Sequence, residues 1–236
     1  MQIVVMGCCA TGAQLRPRRS PGSAAPSSAS PRPPALGPLT RGIGATLHDV
    51  LVYSMSVSVD GYIADRRGEF AWTTPSEELF GFHLARTREL GGFLCGRRLY
   101  EAMLVWETDP SMRVDELRSA FADVWSALPK VVFSRTLNSV EGNARLAGGS
   151  LREEAGAIAG STDQDVGIGG ATLAAEAIEL GLVDDLRLFR YPIIVGGGIP
   201  HLPPVAENIR LNLVETRTFN DEVVYERYER TGRNTA

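Results

Sequence analysis

From Leu51 onward, short apolar runs alternate with amphipathic stretches, and the alternation ends on two long segments, Leu211–Phe219 and Glu222–Tyr228, separated only by Asn220-Asp221. No other feature restricts the fold as much. Strand-length runs spaced by helix-length ones predict parallel strands joined by crossover helices, whereas two long strands joined through a two-residue turn run antiparallel. The pattern predicts strands at Leu51–Val57, Gly92–Cys95, Val131–Ser134, Val166–Ile168 and Leu186–Val195. It predicts helices at Pro75–Glu89, Arg97–Leu104, Val114–Ala127, Leu151–Ala159 and Thr172–Leu180. The expected class is α/β: a central mixed, mostly parallel sheet between flanking helices, finished by an antiparallel C-terminal hairpin.

The start of the chain does not follow this pattern. Seven of the fourteen prolines lie between Pro17 and Pro38, interleaved with Ser, Ala, Gly and Arg. Such a stretch cannot bury enough apolar surface to offset the entropy of ordering it. The expected organisation is a disordered tail at 1–47, one folded domain at 48–232 and a flexible end at 233–236. Residues 1–48 also hold five arginines and no Asp or Glu, which leaves 19 basic against 28 acidic residues from Asp49 onward. A folded part with that acidic excess is not built for nucleic acid.

Three cysteines, Cys8, Cys9 and Cys95, offer no disulfide framework and no zinc spacing, and His48, His83 and His201 form no ligand set, so no metal is expected. A reducing cytoplasm is the natural setting for this cysteine usage. No run approaches the ~20 apolar residues of a membrane span.

Three segments carry chemistry. Val166-Gly-Ile-Gly-Gly-Ala-Thr172 follows a strand and opens a helix, so its glycines would let the backbone approach a phosphate at the positive helix end; the alternative is a tight turn that binds nothing. A Rossmann fingerprint would add a third small residue and an acid about 20 residues on, and Asp184 and Asp185 are the acids available. Gly96-Arg97-Arg98 repeats the strand-to-helix glycine, and Ser134-Arg135-Thr136 ends a strand with two hydroxyls and a guanidinium. Ligands of open α/β sheets settle at the carboxyl ends of strands, so the three could face one crevice and hold a phosphorylated adenine dinucleotide. Arg135 is a plausible fork for a 2′-phosphate, favouring NADPH over NADH; taken singly, each arginine also reads as a surface residue.

These residues resemble a family. Asp60-Gly61-Tyr62-Ile63-Ala64, Gly96-Arg97-Arg98, Ser134-Arg135-Thr136, Gly169-Gly170-Ala171-Thr172-Leu173 and Gly181 to Leu188 look like the dihydrofolate-reductase-like family. Within it, the nearest likeness is to the reductase domain of the bifunctional riboflavin-biosynthesis deaminase/reductase and its stand-alone bacterial relatives. The resemblance spans about residues 50–230 and implies a homodimeric, NADPH-dependent reductase with a three-layer fold. By motif position, it places Gly96, Arg97 and Arg98 near the cofactor phosphates and Ser134, Arg135 and Thr136 near the 2′-phosphate. Gly169, Gly170, Ala171 and Thr172 would lie under the pyrophosphate, and Asp60 and Gly61 in a loop over the nicotinamide. Gly196-Gly197-Gly198 matches a glycine run of the family and is expected to be a tight turn.

Trp72-Thr73-Thr74-Pro75-Ser76-Glu77 has the spacing of the tryptophan-x-x-proline-x-acid segment of dihydrofolate reductases, which makes Glu77 a candidate to support protonation, with Asp60 or Glu78 as alternatives. Thr74 to Glu77 also reads as a capping box with Pro75 at the first helical position. The reaction implied is hydride transfer to a small heterocycle such as a 5-amino-6-(5-phosphoribosylamino)uracil. The alternatives are a dihydrofolate reductase proper or a non-catalytic nucleotide-binding dimer.

Overall fold

The first strand sets the layering of the whole domain. In β1 (Leu51–Ser58), Leu51, Tyr53, Met55 and Val57 line one face and Ser54, Ser56 and Ser58 the other, and seven of its eight residues are buried. Such a strand has to lie at the centre of a sheet covered on both sides. The computed structural model describes residues 50–220 and 222–231; the expected tail and flexible end lie outside them.

After β1 come β2 (Tyr62–Ala64), a 3-10 turn at Ala71–Thr73, α1 (Glu77–Thr87), β3 (Leu90–Gly96), α2 (Arg97–Met103) and α3 (Val105–Thr108). A second 3-10 turn at Pro110–Met112 leads to α4 (Glu116–Ala127), β4 (Lys130–Phe133), β5 (Ala144–Leu146) and α5 (Leu151–Ala159). Then follow β6 (Asp165–Gly169), α6 (Ala171–Glu179), β7 (Asp185–Tyr191), β8 (Ile199–Pro200), β9 (Leu211–Phe219) and β10 (Val223–Arg230). Eight strands form one sheet in the order β5-β4-β3-β6-β1-β7-β10-β9, while β2 and β8 pair separately. All neighbours from β5 to β7 are parallel, and β10 and β9 are added antiparallel.

The apolar face of β1 joins Leu94, Val131, Val166 and Ile168 under Leu151 and Ile158 of α5 and Leu173, Ala174 and Ile178 of α6. On the other face an aromatic cluster packs Phe80, Trp106, Phe121 and Trp125 against Phe93 and Val132. This is the three-layer dihydrofolate-reductase-like arrangement, with its antiparallel C-terminal hairpin. Asn220 makes the hairpin turn at φ 49, a conformation Asn tolerates, and the Glu222 N–H closes it on the Phe219 carbonyl at 3.0 Å.

The structure amends four expectations. The Thr74–Glu77 capping box is not formed: α1 begins at Glu77, Ser76 caps it by accepting from the Leu79 N–H, and the Thr74 hydroxyl donates to Ala71 instead. β7 stops at Tyr191 rather than Val195, because Pro192 has no N–H with which to continue the ladder. The short β2, β5 and β8 were not foreseen, since two or three residues carry no periodicity. Asp184 and Asp185 are not ribose ligands: Asp184 accepts from the Leu51 N–H at 3.1 Å, and the fully buried Asp185 binds Arg187 and Arg227 at 2.9 and 2.8 Å. Both sit at the amino ends of the strands, opposite the glycine turns.

Candidate active site at the carboxyl ends of the strands

Parallel pairing brings the ends of β4, β3, β6, β1 and β7 to one edge of the sheet. Gly96 lies opposite Phe133, and Cys95 opposite Gly169, so the Gly96-Arg97-Arg98, Ser134-Arg135-Thr136 and Gly169-Gly170 segments leave three adjacent strands side by side. Gly170 has φ +98, which an L side chain rarely adopts, and a Cβ there would come within 3.3 Å of the Gly96 Cα. The two glycine turns therefore pack backbone to backbone, and any side chain at Gly170 would separate them.

Helices α2 and α6 start directly from these turns with no side-chain cap. By contrast, Ser76 caps α1, Asp115 caps α4, and Ser150 with Glu153 forms a reciprocal box on α5. The first N–H groups of a nine-residue helix such as α6 are thus left to an outside acceptor, at the end where the helix dipole favours an anion. Arg97 pairs with Glu101 at 3.0 Å across one helical turn. Arg98 and Arg135 are exposed and make no ion pair among the described residues. The Ser134 oxygen accepts from the N–H groups of Thr136 (3.1 Å) and Leu137 (2.9 Å), which curls the loop and sets the position of Arg135.

Beyond β6, the turn after β1 is tied to the glycine run. Asp60 accepts from the N–H groups of Val195 (3.0 Å) and Gly196 (2.7 Å), and Arg66 donates to the Gly196 carbonyl at 2.5 Å. Hydrogen bonds from Ser58 and from the Val195 N–H lower the Asp60 carboxyl to about 2, so it is an anion throughout the neutral range. Gly196, Gly197 and Gly198 all have positive φ, and a Cβ at Gly198 would lie 2.0 Å from the Ala64 carbonyl oxygen. Gly61 presents its carbonyl to both the N–H and Nδ1 of His201, at 3.2 and 3.1 Å. Burial lowers the His201 pKa and keeps the ring neutral; because a carbonyl only accepts, Nδ1 bears the proton. The sequence marked the glycine run as a tight turn but gave no sign of its Asp60 and Arg66 partners, or of the pairing of His201 with Gly61. Each of these pairings joins segments 130 or more residues apart.

On the α1 side of the same edge, a cavity of about 230 Å³ opens between the Trp72–Ser76 segment, Tyr191 to Ile193 and the β9–β10 turn, where Asn220 and Glu222 line it. Tyr191 and Trp72 meet edge to face at 6.0 Å, and the Tyr191 hydroxyl donates to the Thr73 carbonyl at 2.9 Å. The buried Trp72 Nε1 has no hydrogen-bond partner among the described residues. Glu77 is one residue from the cavity wall; its side chain is 70% exposed and paired with Arg118 at 2.9 Å. Arg190 does not face this cavity freely, since Glu226 on the neighbouring strand holds it at 2.8 Å. No cluster of metal-ligating side chains occurs among the described residues, and no described helix is long and apolar enough to cross a membrane.

Known proteins share this fold. The Bacillus subtilis (strain 168) protein YyaP, itself uncharacterized, is 29% identical over 176 residues, covering 74% of this chain and 91% of its own. The crystal structure of a putative riboflavin biosynthesis protein from Shewanella sp. PV-4 superposes with a TM-score of 0.64 at 22% identity, covering 78% of this chain and 99% of that one. Enterococcus faecalis dihydrofolate reductase, in a complex with NADP(H), superposes at 0.51 and 16% identity, covering 78% and 97%. The family model described as the RibD C-terminal domain matches residues 49–156 and 166–225. Those residues take in the glycine turns, the arginine loop and the Trp72 segment, and the chain belongs to the RibD C-terminal domain family.

Proposed function

We propose that the protein is an NADPH-dependent reductase of a small nitrogen heterocycle, in the manner of the pyrimidine reductases, working as a homodimer in the cytoplasm. One observation carries the reading: two uncapped glycine-led helix starts and two unpaired arginines lie side by side on adjacent strand ends. That combination suits a ligand with several phosphates. Gly96, Arg97, Arg98, Gly169, Gly170, Ala171 and Thr172 would hold the pyrophosphate, and Ser134, Arg135 and Thr136 the 2′-phosphate of the adenosine. NADPH, when bound, supplies the hydride.

The chain's own residues would orient and shield. The turn carrying Asp60 and Gly61 lies at the end of β1, between the phosphate side and the cavity at Trp72, and its bonds to Val195, Gly196 and His201 would hold it in place as a wall for the nicotinamide. Asp60, always ionised, would act by positioning this wall. The proton would come from water or from a carboxylate, with Glu77, beside Ser76 at the cavity wall, as the carboxylate to test.

Fluorescence titration with NADPH and NADH decides the cofactor. NADPH should bind at submillimolar concentration, and failure of both nucleotides to bind removes the reductase reading. Arg135→Ala should weaken NADPH by roughly 10- to 100-fold, the size of a lost charge-assisted bond, and leave NADH within about twofold. Equal losses would refute the 2′-phosphate assignment.

A further inference from the structure

We infer that the cavity beside Trp72 receives a flat nitrogen heterocycle that carries no phosphate, and that Glu222 sets this preference. The inference rests on the reductase reading for the identity of the site and on the cavity's own walls for its selectivity. Its surfaces are aromatic or apolar where Trp72, Leu79, Tyr191, Pro192 and Phe219 face it, which suits a planar ring. At about 230 Å³ it has room for a ring system, and any arm on that ring would leave through the open side past Glu222.

Charge disfavours a phosphate on that arm. No lysine, arginine or histidine is among the residues that line the cavity, and Glu222 at its rim makes no ion pair among the described residues. The cations that approach from neighbouring elements already have partners: Arg217 binds Glu78 at 2.7 Å and lies over the Phe219 ring, and Arg190 binds Glu226. The start of α1 at the cavity wall offers no anion site either. Ser76 caps it, and Glu77 and Glu78 stand in its first turn. A phosphate ester carries about −1.5 to −2 charges at neutral pH, and here it would meet a carboxylate and no free counter-charge. At separations of about 6–8 Å in largely aqueous surroundings, that repulsion amounts to roughly a tenfold penalty in binding. An N–H edge on the heterocycle would instead find an acceptor in Glu222.

Calorimetry on the full chain, saturated with NADP⁺, with a ribosylaminopyrimidine and its 5′-phosphate ester as matched probes, tests this. The unphosphorylated probe should bind about tenfold tighter, and the ratio should shrink toward one at 0.5 M salt. Glu222→Lys should reverse the preference and Glu222→Gln should remove it, with NADPH titration of each variant as the folding control. Equal or tighter binding of the ester, binding of neither probe, or a ratio unmoved by both variants would overturn the inference. If NADPH itself does not bind, the reductase reading fails, and the probe ratio measured without nucleotide still reports on the cavity.

Discussion

The sole lysine of a chain with 23 arginines should be one of its most costly residues to remove. Lys130 opens β4 with its side chain fully buried. Its ammonium donates to the Trp125 carbonyl at 2.6 Å and the Leu128 carbonyl at 2.9 Å, pairs with Glu107 at 3.0 Å and lies 4.9 Å from the Trp125 ring centre. It thereby ties the end of α4 and the helix α3 to the strand that presents Ser134 and Arg135. Lys130→Ala would leave a carboxylate that is 8% exposed, and two helix-end carbonyls, without their donor. Breaking one side of a buried pair typically costs about 3–5 kcal/mol, a third or more of the stability of an ordinary domain. At roughly 2–4 °C per kcal/mol for a domain of this size, the melting temperature should fall by about 10 °C. Lys130→Arg should also lose stability, because a planar five-donor fork cannot replace a compact ammonium among three acceptors. Lys130→Met combined with Glu107→Gln should recover part of the loss, since neither charge is then stranded. Urea unfolding followed by far-ultraviolet circular dichroism measures all three variants against the parent protein. A loss below about 1 kcal/mol for Lys130→Ala would show that water reaches the site and that the burial argument is wrong.

Other consequences are equally open to measurement. Gly170→Ala should raise the NADPH dissociation constant at least tenfold and lower stability by about 2 kcal/mol, since φ +98 is strained for alanine and the Gly96 backbone is 3.3 Å away; unchanged affinity would separate the glycine turn from the cofactor. Glu77→Gln should reduce turnover while the melting temperature moves by no more than a few degrees, the effect of losing an exposed pair with Arg118; an unchanged rate would leave Glu77 a surface residue. The Asp60 carboxyl, lowered to about 2, should hold its bonds above the ordinary carboxylate range and release them only as pH falls toward 2. The amide resonances of Val195 and Gly196 should therefore titrate with a midpoint near 2 in nuclear magnetic resonance spectra, and a midpoint near 4 would contradict the tether.

The strand ends were legible from the sequence because they are marked by local chemistry. A glycine between an apolar run and an amphipathic one announces a strand-to-helix turn, and Gly96 and Gly170 sit at such junctions in the structure. What joins the two halves of the crevice was not legible, because it depends on contacts distant in the chain. Motif position put Asp60 in a loop over the nicotinamide, with a proton-supporting role as an alternative to Glu77, but nothing local announced that its carboxylate accepts from the Val195 and Gly196 N–H groups. The rarity of lysine likewise reads as a compositional habit until Lys130 is seen to fill a buried site with three acceptors. Glu77 shows the opposite limit. The segment Thr74-Pro75-Ser76-Glu77 pointed to Thr74 as the cap, and the helix instead starts two residues later with Ser76 as its cap, a phase that periodicity does not fix.

The way the helices begin separates the structural half of this edge from the half left open to solution. Every helix starts with N–H groups that have no partner within the helix, and a side-chain cap on each contributes about 1 kcal/mol. The chain does this for α1, α4 and α5 with Ser76, Asp115 and Ser150, and leaves α2 and α6 with glycine. Glycine at 170, with φ +98 and the Gly96 Cα 3.3 Å from where a Cβ would lie, also permits the close approach of the two turns, whereas a Cβ at Gly96 would meet nothing nearer than 3.6 Å. The same two positions forgo a cap and bring two backbones together, so the local instability and the opening toward an anion have one cause. A serine introduced at Gly96, where the backbone is extended at φ −70 and accepts a side chain, should therefore stabilise α2 and compete with phosphate for the same N–H groups. Raised stability with weakened NADPH binding in Gly96→Ser would support that trade, and tighter binding of both kinds would break it.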